Sequence, residues 1–143
     1  MKEYYLDTCI WLNIFKKEGD PNKGIPYWKI ARVFLEKIAE SGNRIIISTI
    51  VLKELYFTLG NSFKIAEQFF KTSEFIKIIK TTEEDYALAR KLEGLYGDKI
   101  GFYDYLHIAI AKRLGIHLIT RDKELIKFAR KYVKTSKPED LIR

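Results

Sequence analysis

The sequence predicts an α/β domain built on a mainly parallel sheet, and three observations carry that expectation. Short β-branched or aromatic runs alternate with longer segments of helical period, the alternation that parallel sheets with crossover helices produce. Every strand candidate is fed by a helix candidate. The chain has 143 residues, 47% of them hydrophobic and 14% aromatic, enough for one sizeable core and far from the polar, aromatic-poor profile of a disordered chain.

EYYL, residues 3 to 6, is the first strand and breaks at Asp7. TCIWLNIF has a short helical pattern that frays into KKEGDPNKGIP. This loop, residues 17 to 26, holds two of the three prolines and two glycines, the usual composition of a break. YWKIARVFLEKIAESG places Ile30, Phe34, Leu35 and Ile38 on one helical face and stops at Gly42. RIIIS is the second strand, Ser48 or Thr49 can cap the following helix TIVLKELYFTLG, and Gly60 ends it. A helix over residues 62 to 72 leads to the strand FIKII, residues 75 to 79. In TTEEDYALARKLEGLYG, Thr82 and Asp85 stand at capping-box spacing, which accounts for Asp85 structurally and removes it from the candidate site. FYDYLHIAIAKRLG is a helix ending at Gly115, IHLIT is the fourth strand, and DKELIKFARKYV is the last helix, leading into a short fifth strand around Tyr132 to Lys134.

Lys and Arg number 26 against 19 Asp and Glu, a formal charge of +7. Such a field favours a polyanionic partner, nucleic acid or an acidic protein, although an ion-pair-rich surface produces the same composition. The one cysteine, Cys9, has no intrachain partner, is expected as a small buried apolar residue, and belongs to no Cys/His cluster of zinc spacing. Glu3 and Asp7 interrupt what would be a leader's apolar segment, and no apolar run approaches the ~20 residues of a membrane span. The sequence therefore reads as a single cytosolic domain over residues 1 to 143.

Four carboxylates stand where an open α/β sheet gathers ligands, beyond the carboxyl ends of its strands. Asp7 and Asp122 each follow a strand directly, in positions where either could also cap a helix. Glu54 shares a helical face with Ile50 and Phe57, and Asp104 with Ile108 and Ala111. Each has a structural explanation alone: Glu54 as a solvated edge residue, Asp104 as a first-turn acid favoured by the helix dipole. Brought together, four acids repel one another unless a divalent cation neutralises them, and an all-oxygen set without thiolates suits Mg²⁺ or Mn²⁺.

These segments resemble the PIN-domain ribonucleases, and in particular the VapC-like toxins of VapBC toxin–antitoxin pairs. The resemblance runs through YLDTCIW, STIVLKELYFTLG and FYDYLHIAIAKRLGIHLITRDKELIKFA. Its most specific block pairs Asp104, in a D-x-x-H-I-A-x-A helix, with the T-x-D of Thr120 to Asp122. The resemblance implies a three-layer α/β/α fold with a five-stranded parallel sheet. It also implies Mg²⁺- or Mn²⁺-dependent endoribonuclease activity leaving a 5′-phosphate and a 3′-hydroxyl, a protein antitoxin partner and a homodimer. Asp7, Glu54, Asp104 and Asp122 match the family's acidic quartet as catalytic and metal-holding residues, with Thr120 as its Ser/Thr near the last acid. Glu124 falls where some members carry a further acid.

For the RNA substrate, Thr8, Arg121 and Lys123 are the binding candidates, Arg121 foremost because it adjoins the acids and a guanidinium suits a phosphate. Lys123, Lys127, Arg130, Lys131 and Lys134 would form one basic face if the last helix ran through them, whether as an RNA contact or a solvated face. His107, one turn after Asp104, reads as a packed residue bonded to a neighbour, because metal-assisted hydrolysis does not require it. His117 carries no signal. Trp11, Tyr56, Phe57, Phe69 and Phe70 read as core or subunit interface. A receiver-like signalling domain would need paired acids after the first strand, where only Asp7 follows Leu6, and a dehalogenase-like D-x-D would need an acid at Cys9. An idle RNA-binding relative is disfavoured by the complete acid set.

Overall fold

The computed structural model describes residues 1–142. Strands β1 (Glu3–Leu6), β2 (Arg44–Ser48), β3 (Ile76–Ile79), β4 (His117–Ile119) and β5 (Thr135–Ser136) form one sheet in the order β3-β2-β1-β4-β5. All four pairings are parallel. Strands covered on both faces carry apolar residues without alternation; accordingly Ile45, Ile46 and Ile47 of β2 and Leu118 and Ile119 of β4 are all buried.

The chain passes from β1 outward to β2 and β3, then returns to the far side of β1 for β4 and β5. Right-handed crossovers place α1 (Thr8–Phe15), α2 (Tyr27–Glu40), α3 (Thr49–Leu59) and α4 (Phe63–Thr72) on one face. The reversal sends α5 (Glu83–Tyr96), α6 (Phe102–Leu114) and α7 (Lys123–Ala129) to the other. The result is the three-layer α/β/α architecture expected. β1 and β4 are the neighbours at the reversal, and the crevice of an open α/β sheet lies beyond their carboxyl ends.

On the first face Trp11 meets Phe70 edge-on at 4.8 Å between ring centroids, an arrangement that favours the ring quadrupoles. α6 is buried continuously from Tyr105 to Ala111, which is why its sequence is apolar around most of its circumference. Ser48 caps α3 by accepting from Val51 N. Thr82 and Asp85 close both arms of the capping box, and Asp85 also takes two hydrogen bonds from Arg113 at 2.7 and 3.0 Å. Its carboxylate is thus wholly spent on structure.

The last helix departs from the sequence expectation. α7 stops at Ala129, because Tyr132 and Val133 both donate to Ala129 O and the Tyr132 hydroxyl lies 2.7 Å from that of Tyr96 on α5. Tertiary contact with α5 overrides the helical pattern, and the fifth strand falls at Thr135–Ser136 rather than Tyr132 to Lys134. Lys123 and Lys127 stay on the helix, Arg130 and Lys131 lie in the turn, and Lys134 precedes β5, so the single basic face does not form. Gly60–Ser62 forms a 3₁₀ turn, and α4 begins one residue later than expected. Tyr56 and Phe57 are exposed at 58% and 72%, whereas Trp11 and Phe70 are core.

The connection over residues 17 to 26 is built rather than frayed. Asp20 and Ile25 exchange backbone hydrogen bonds of 2.8 and 2.9 Å, and the Asp20 carboxylate accepts from Asn22 N and Lys23 N. A Cβ on Gly19 would lie 2.6 Å from Ile25 O, so only glycine permits the approach. Gly19→Ala is therefore expected to lower stability by about 1–2 kcal/mol, read as a fall of several degrees in Tm; an unchanged Tm would contradict this close packing. Among the described residues, no helix is long and apolar enough to cross a membrane.

Candidate active site

The parallel ladder between β1 and β4 continues one step past the strands, with Asp7 N donating to Ile119 O at 2.9 Å. This brings Asp7 beside Thr120. Asp7 occupies the N-cap position of α1, yet its side chain caps nothing. Its Oδ2 accepts from Thr120 Oγ1 at 2.8 Å and from Cys9 Sγ at 3.3 Å, and its Oδ1 lies 3.5 Å from His107 Nε2. At 5% exposure the carboxylate needs these partners, because an unpaired buried charge is costly.

Asp122 does cap its helix, Oδ1 accepting from Glu124 N at 2.9 Å and Leu125 N at 3.2 Å. Capping and any ligation thus fall on one carboxylate but not on one oxygen. Asp122 N donates to Thr120 Oγ1 at 3.2 Å, so the Thr120 hydroxyl donates to one acid and accepts from the backbone of the other. That single hydroxyl sets the position of both.

A second line of bonds fixes Glu54, on α3. Its Oε1 accepts from Thr8 Oγ1 at 2.7 Å and lies 2.8 Å from His107 Nε2. His107 is fully buried, and its Nδ1 is 2.8 Å from the Tyr5 hydroxyl, itself 2.7 Å from Ser48 Oγ. Burial opposes the imidazolium, but the bond to Glu54 and the charges of Asp7, Glu54 and Asp104 raise the His107 pKa above its ordinary value. Burial likewise pushes Glu54 up, and the hydrogen bonds from His107 and Thr8 overcome it and hold the carboxyl below its ordinary value. Both directions favour the charged pair of imidazolium and carboxylate over the neutral forms. With His107 protonated, Nδ1–H donates to the Tyr5 hydroxyl and Tyr5 donates to Ser48 Oγ, which also accepts from Val51 N.

Asp104, in the first turn of α6, accepts from Gly101 N at 3.3 Å. Burial first, and then the negative charges of Asp7 and Asp122, push its carboxyl up to about 6. An open cavity of about 330 Å³ lies between Glu54 and Asp104, walled by Gly101, Phe102 and Tyr103. Asp7, Glu54, Asp104, Asp122 and Thr120 are therefore one constellation drawn from the residue after β1, from α3 and α6, and from the turn after β4. Among the described residues, no group of three His, Cys, Asp or Glu side chains is already gathered as a metal-binding set. The chemistry of the donors nevertheless fits a hard divalent cation: the acids supply carboxylate oxygens, and the repulsion that raises Asp104 is what such an ion would relieve.

The three substrate-contact candidates stand in different places. Thr8 is 6% exposed and its hydroxyl is given to Glu54, which makes it a support for that acid rather than an open contact. Arg121 is held by Glu139, Nη1 to Oε2 at 2.8 Å, with its guanidinium 3.9 Å from the Tyr27 ring centroid, while its Nε and Nη2 are buried without a hydrogen-bond partner. Lys123 is exposed beside Asp122, and Glu124 is exposed with its N–H taken by that cap. The residues undervalued in the sequence are His107, the buried ring that bonds Glu54 and faces Asp7, and Cys9, whose thiol donates to Asp7 instead of merely filling space. The Asp104-x-x-His107 spacing was a visible signal for the first. Cys9 had none beyond its position two residues after Asp7.

A parallel sheet in the order 3-2-1-4-5 with acids converging at its switch point defines the class: an α/β domain with a carboxylate-centred crevice. A family model described as PIN domain matches residues 4–131, and the chain belongs to that family. No curated protein matches the chain. Among solved structures, VapBC2 from Rickettsia felis, bound to a DNA fragment from its promoter, is similar with a TM-score of 0.68 at 23% identity, covering 94% of this chain and 98% of that one. A toxin–antitoxin complex from Klebsiella pneumoniae gives 0.66 at 20% identity, covering 94% and 97%. VapC20 from Mycobacterium tuberculosis, a sarcin-ricin loop cleaving toxin, gives 0.65 at 18%, covering 92% and 97%. At these identities the likeness is one of fold.

Proposed function

We propose that this PIN domain is a divalent-metal-dependent endoribonuclease and the toxin component of a toxin–antitoxin pair. The observation that carries the reading is the orientation of Asp7. Its carboxylate forgoes the cap available to it, is bonded instead to Thr120 and faces His107 at 3.5 Å, and its charge acts on Asp104 together with that of Asp122. Catalytic centres differ from helix ends in arranging carboxylates toward one another. The fold likeness to the RNA-cleaving VapC20 and to toxin–antitoxin complexes supports the substrate class and an antitoxin partner.

Asp7, Asp104, Asp122 and Glu54 would hold Mg²⁺ or Mn²⁺. When bound, the cation supplies Lewis acidity toward the phosphoryl oxygens and a water nucleophile available near neutral pH. The chain's own residues do the rest. Thr120 keeps Asp7 and the Asp122 backbone in register. His107 and Thr8 both engage Glu54 Oε1 and fix that carboxylate at the wall of the cavity it shares with Asp104. The acidic crevice repels a polyanion at close range, and the overall charge of +7 provides the longer-range attraction, so binding is expected to weaken steeply with salt.

The test is incubation of a mixed RNA pool with protein and Mn²⁺ or Mg²⁺, against EDTA and Asp104→Asn controls, with the new 5′ ends sequenced. The expected result is metal-dependent cutting that leaves 5′-phosphates and is lost in the variant. Cutting that persists in EDTA or in Asp104→Asn would reject the mechanism.

A further inference from the structure

A cluster outside the acidic crevice is built around Trp28, in the first turn of α2. Three cations surround its indole: Lys17 Nζ at 5.9 Å, Lys29 Nζ at 5.3 Å and Arg32 Cζ at 5.4 Å from the ring centroid. Trp28 is half-buried, and its backbone N–H donates to Glu18 O. It forms part of the wall of an open concavity of about 590 Å³, together with Lys17, Asp20, Pro21, Pro26 and Lys29. Among the described residues Lys17 and Lys29 have no carboxylate within ion-pair distance, Asp20 and Glu18 being directed to Asn22 N, Lys23 N and Asn13 Nδ2, and the exposed Arg32–Glu36 pair is long, at 3.7 Å.

Lys17 adds an independent observation. It is the only non-glycine residue with positive φ among those described, at +50°. It ends α1 in a Schellman arrangement, with Lys17 N donating to Ile14 O and Glu18 N to Asn13 O. Glycine is the usual residue at that position, because a Cβ in the left-handed region is strained. Here a strained lysine stands where an unstrained glycine would serve the fold, and its ammonium is directed to the indole. Strain kept in this way is a pointer to function.

We propose that Trp28, Lys17, Lys29 and Arg32 form a subsite for one nucleotide of a single-stranded RNA, the indole stacking on a base and the cations taking the flanking phosphates. An aromatic face bordered by cations is the pairing that single-strand recognition uses, since every base offers a π-face and every linkage a charge. The subsite adjoins the acidic crevice: Tyr27, the residue before Trp28, stacks on Arg121, the residue before Asp122. A strand positioned at the acids is therefore led across α2. This inference rests on the ribonuclease reading.

The test uses the full chain carrying Asp104→Asn, so that the RNA is not cut, titrated with a short labelled single-stranded RNA of mixed sequence. Trp11 is fully buried, so intrinsic fluorescence reports on Trp28. RNA is expected to quench the emission, Trp28→Phe to abolish the quenching, and Trp28→Ala to weaken binding about tenfold. Lys17→Gly is the sharper variant: it relieves the strain and raises Tm, yet weakens RNA binding and flattens the salt dependence. Equal RNA affinity in all variants, with Asp104-dependent cleavage intact in the parent chain, would overturn the subsite and leave the nuclease reading standing. RNA neither bound nor cut in Mn²⁺ would overturn both. Quenching by poly-glutamate in preference to RNA would assign the patch to an acidic protein partner and overturn the proposal.

Discussion

Asp104→Asn is expected to make the metal-free protein more stable while abolishing its activity. The Asp104 carboxyl, raised to about 6 by burial and by Asp7 and Asp122, prefers its protonated form in the folded state. A raised folded pKa means that stability is fully present below the ordinary value of 3.8 and is lost as pH rises through about 6. At pH 7.5 in EDTA the neutral asparagine escapes that loss and still offers an oxygen to Gly101 N. It is expected to gain about 1–2 kcal/mol after allowance for partial exposure, or about 3–6 °C in Tm. At pH 4 the two proteins should melt together. Added Mn²⁺ should reverse the order at neutral pH by stabilising only the wild type. Thermal melts at two pH values, with EDTA and with Mn²⁺, check all of this, and a variant less stable than wild type in EDTA at pH 7.5 would contradict the convergence of the acids.

Loss of His107 is the largest destabilisation expected. The His107 ring is fully buried, with Nε2 2.8 Å from Glu54 and 3.5 Å from Asp7. His107→Ala leaves both carboxylates without their buried cation and removes one partner of the Tyr5 hydroxyl. Breaking a buried pair on one side costs about 3–5 kcal/mol, a large share of a small domain's stability. Adding Glu54→Gln should recover part of the loss, because a neutral amide does not need the cation. Urea denaturation of wild type, both single variants and the double variant closes the cycle, and strictly additive effects would show that the pair is not coupled. The pH dependence follows from the two shifts. The His107 contribution is lost as pH rises through its raised pKa, and the Glu54 contribution as pH falls through its lowered one. The pair therefore stabilises fully between the ordinary glutamate and histidine values, 4.5 and 6.5, and progressively less beyond them until the folded values are passed.

These expectations show which parts of the molecule a linear reading could reach. The strands at EYYL and RIIIS, the Thr82–Asp85 cap and the stop at Gly115 are local events, set by residues within a turn of one another, and they stand where periodicity and capping chemistry place them. The four acids were visible because each follows a strand or interrupts an apolar helix face. What the acids do was not visible, because it depends on contacts between distant segments. Asp7 and Asp122 hold equivalent positions in sequence, yet one caps and the other does not, and the difference is the Thr120 hydroxyl 113 residues from Asp7. His107 became the centre of the cluster through Tyr5 on β1 and Glu54 on α3, neither of which its own helix announces. The end of α7 was set by Tyr96, far back on α5. The surroundings of Arg121 were set by Glu139 and Tyr27, which hold its guanidinium between the C-terminal segment and α2.

The central claim is that Asp7, Glu54, Asp104 and Asp122 form one cation site. Calorimetric titration of Mn²⁺ into EDTA-stripped wild type, Asp7→Asn and Asp104→Asn measures it directly. Saturable binding to the wild type, lost or greatly weakened in both variants, is the expected result. No binding to the wild type, or equal binding to all three proteins, would contradict it.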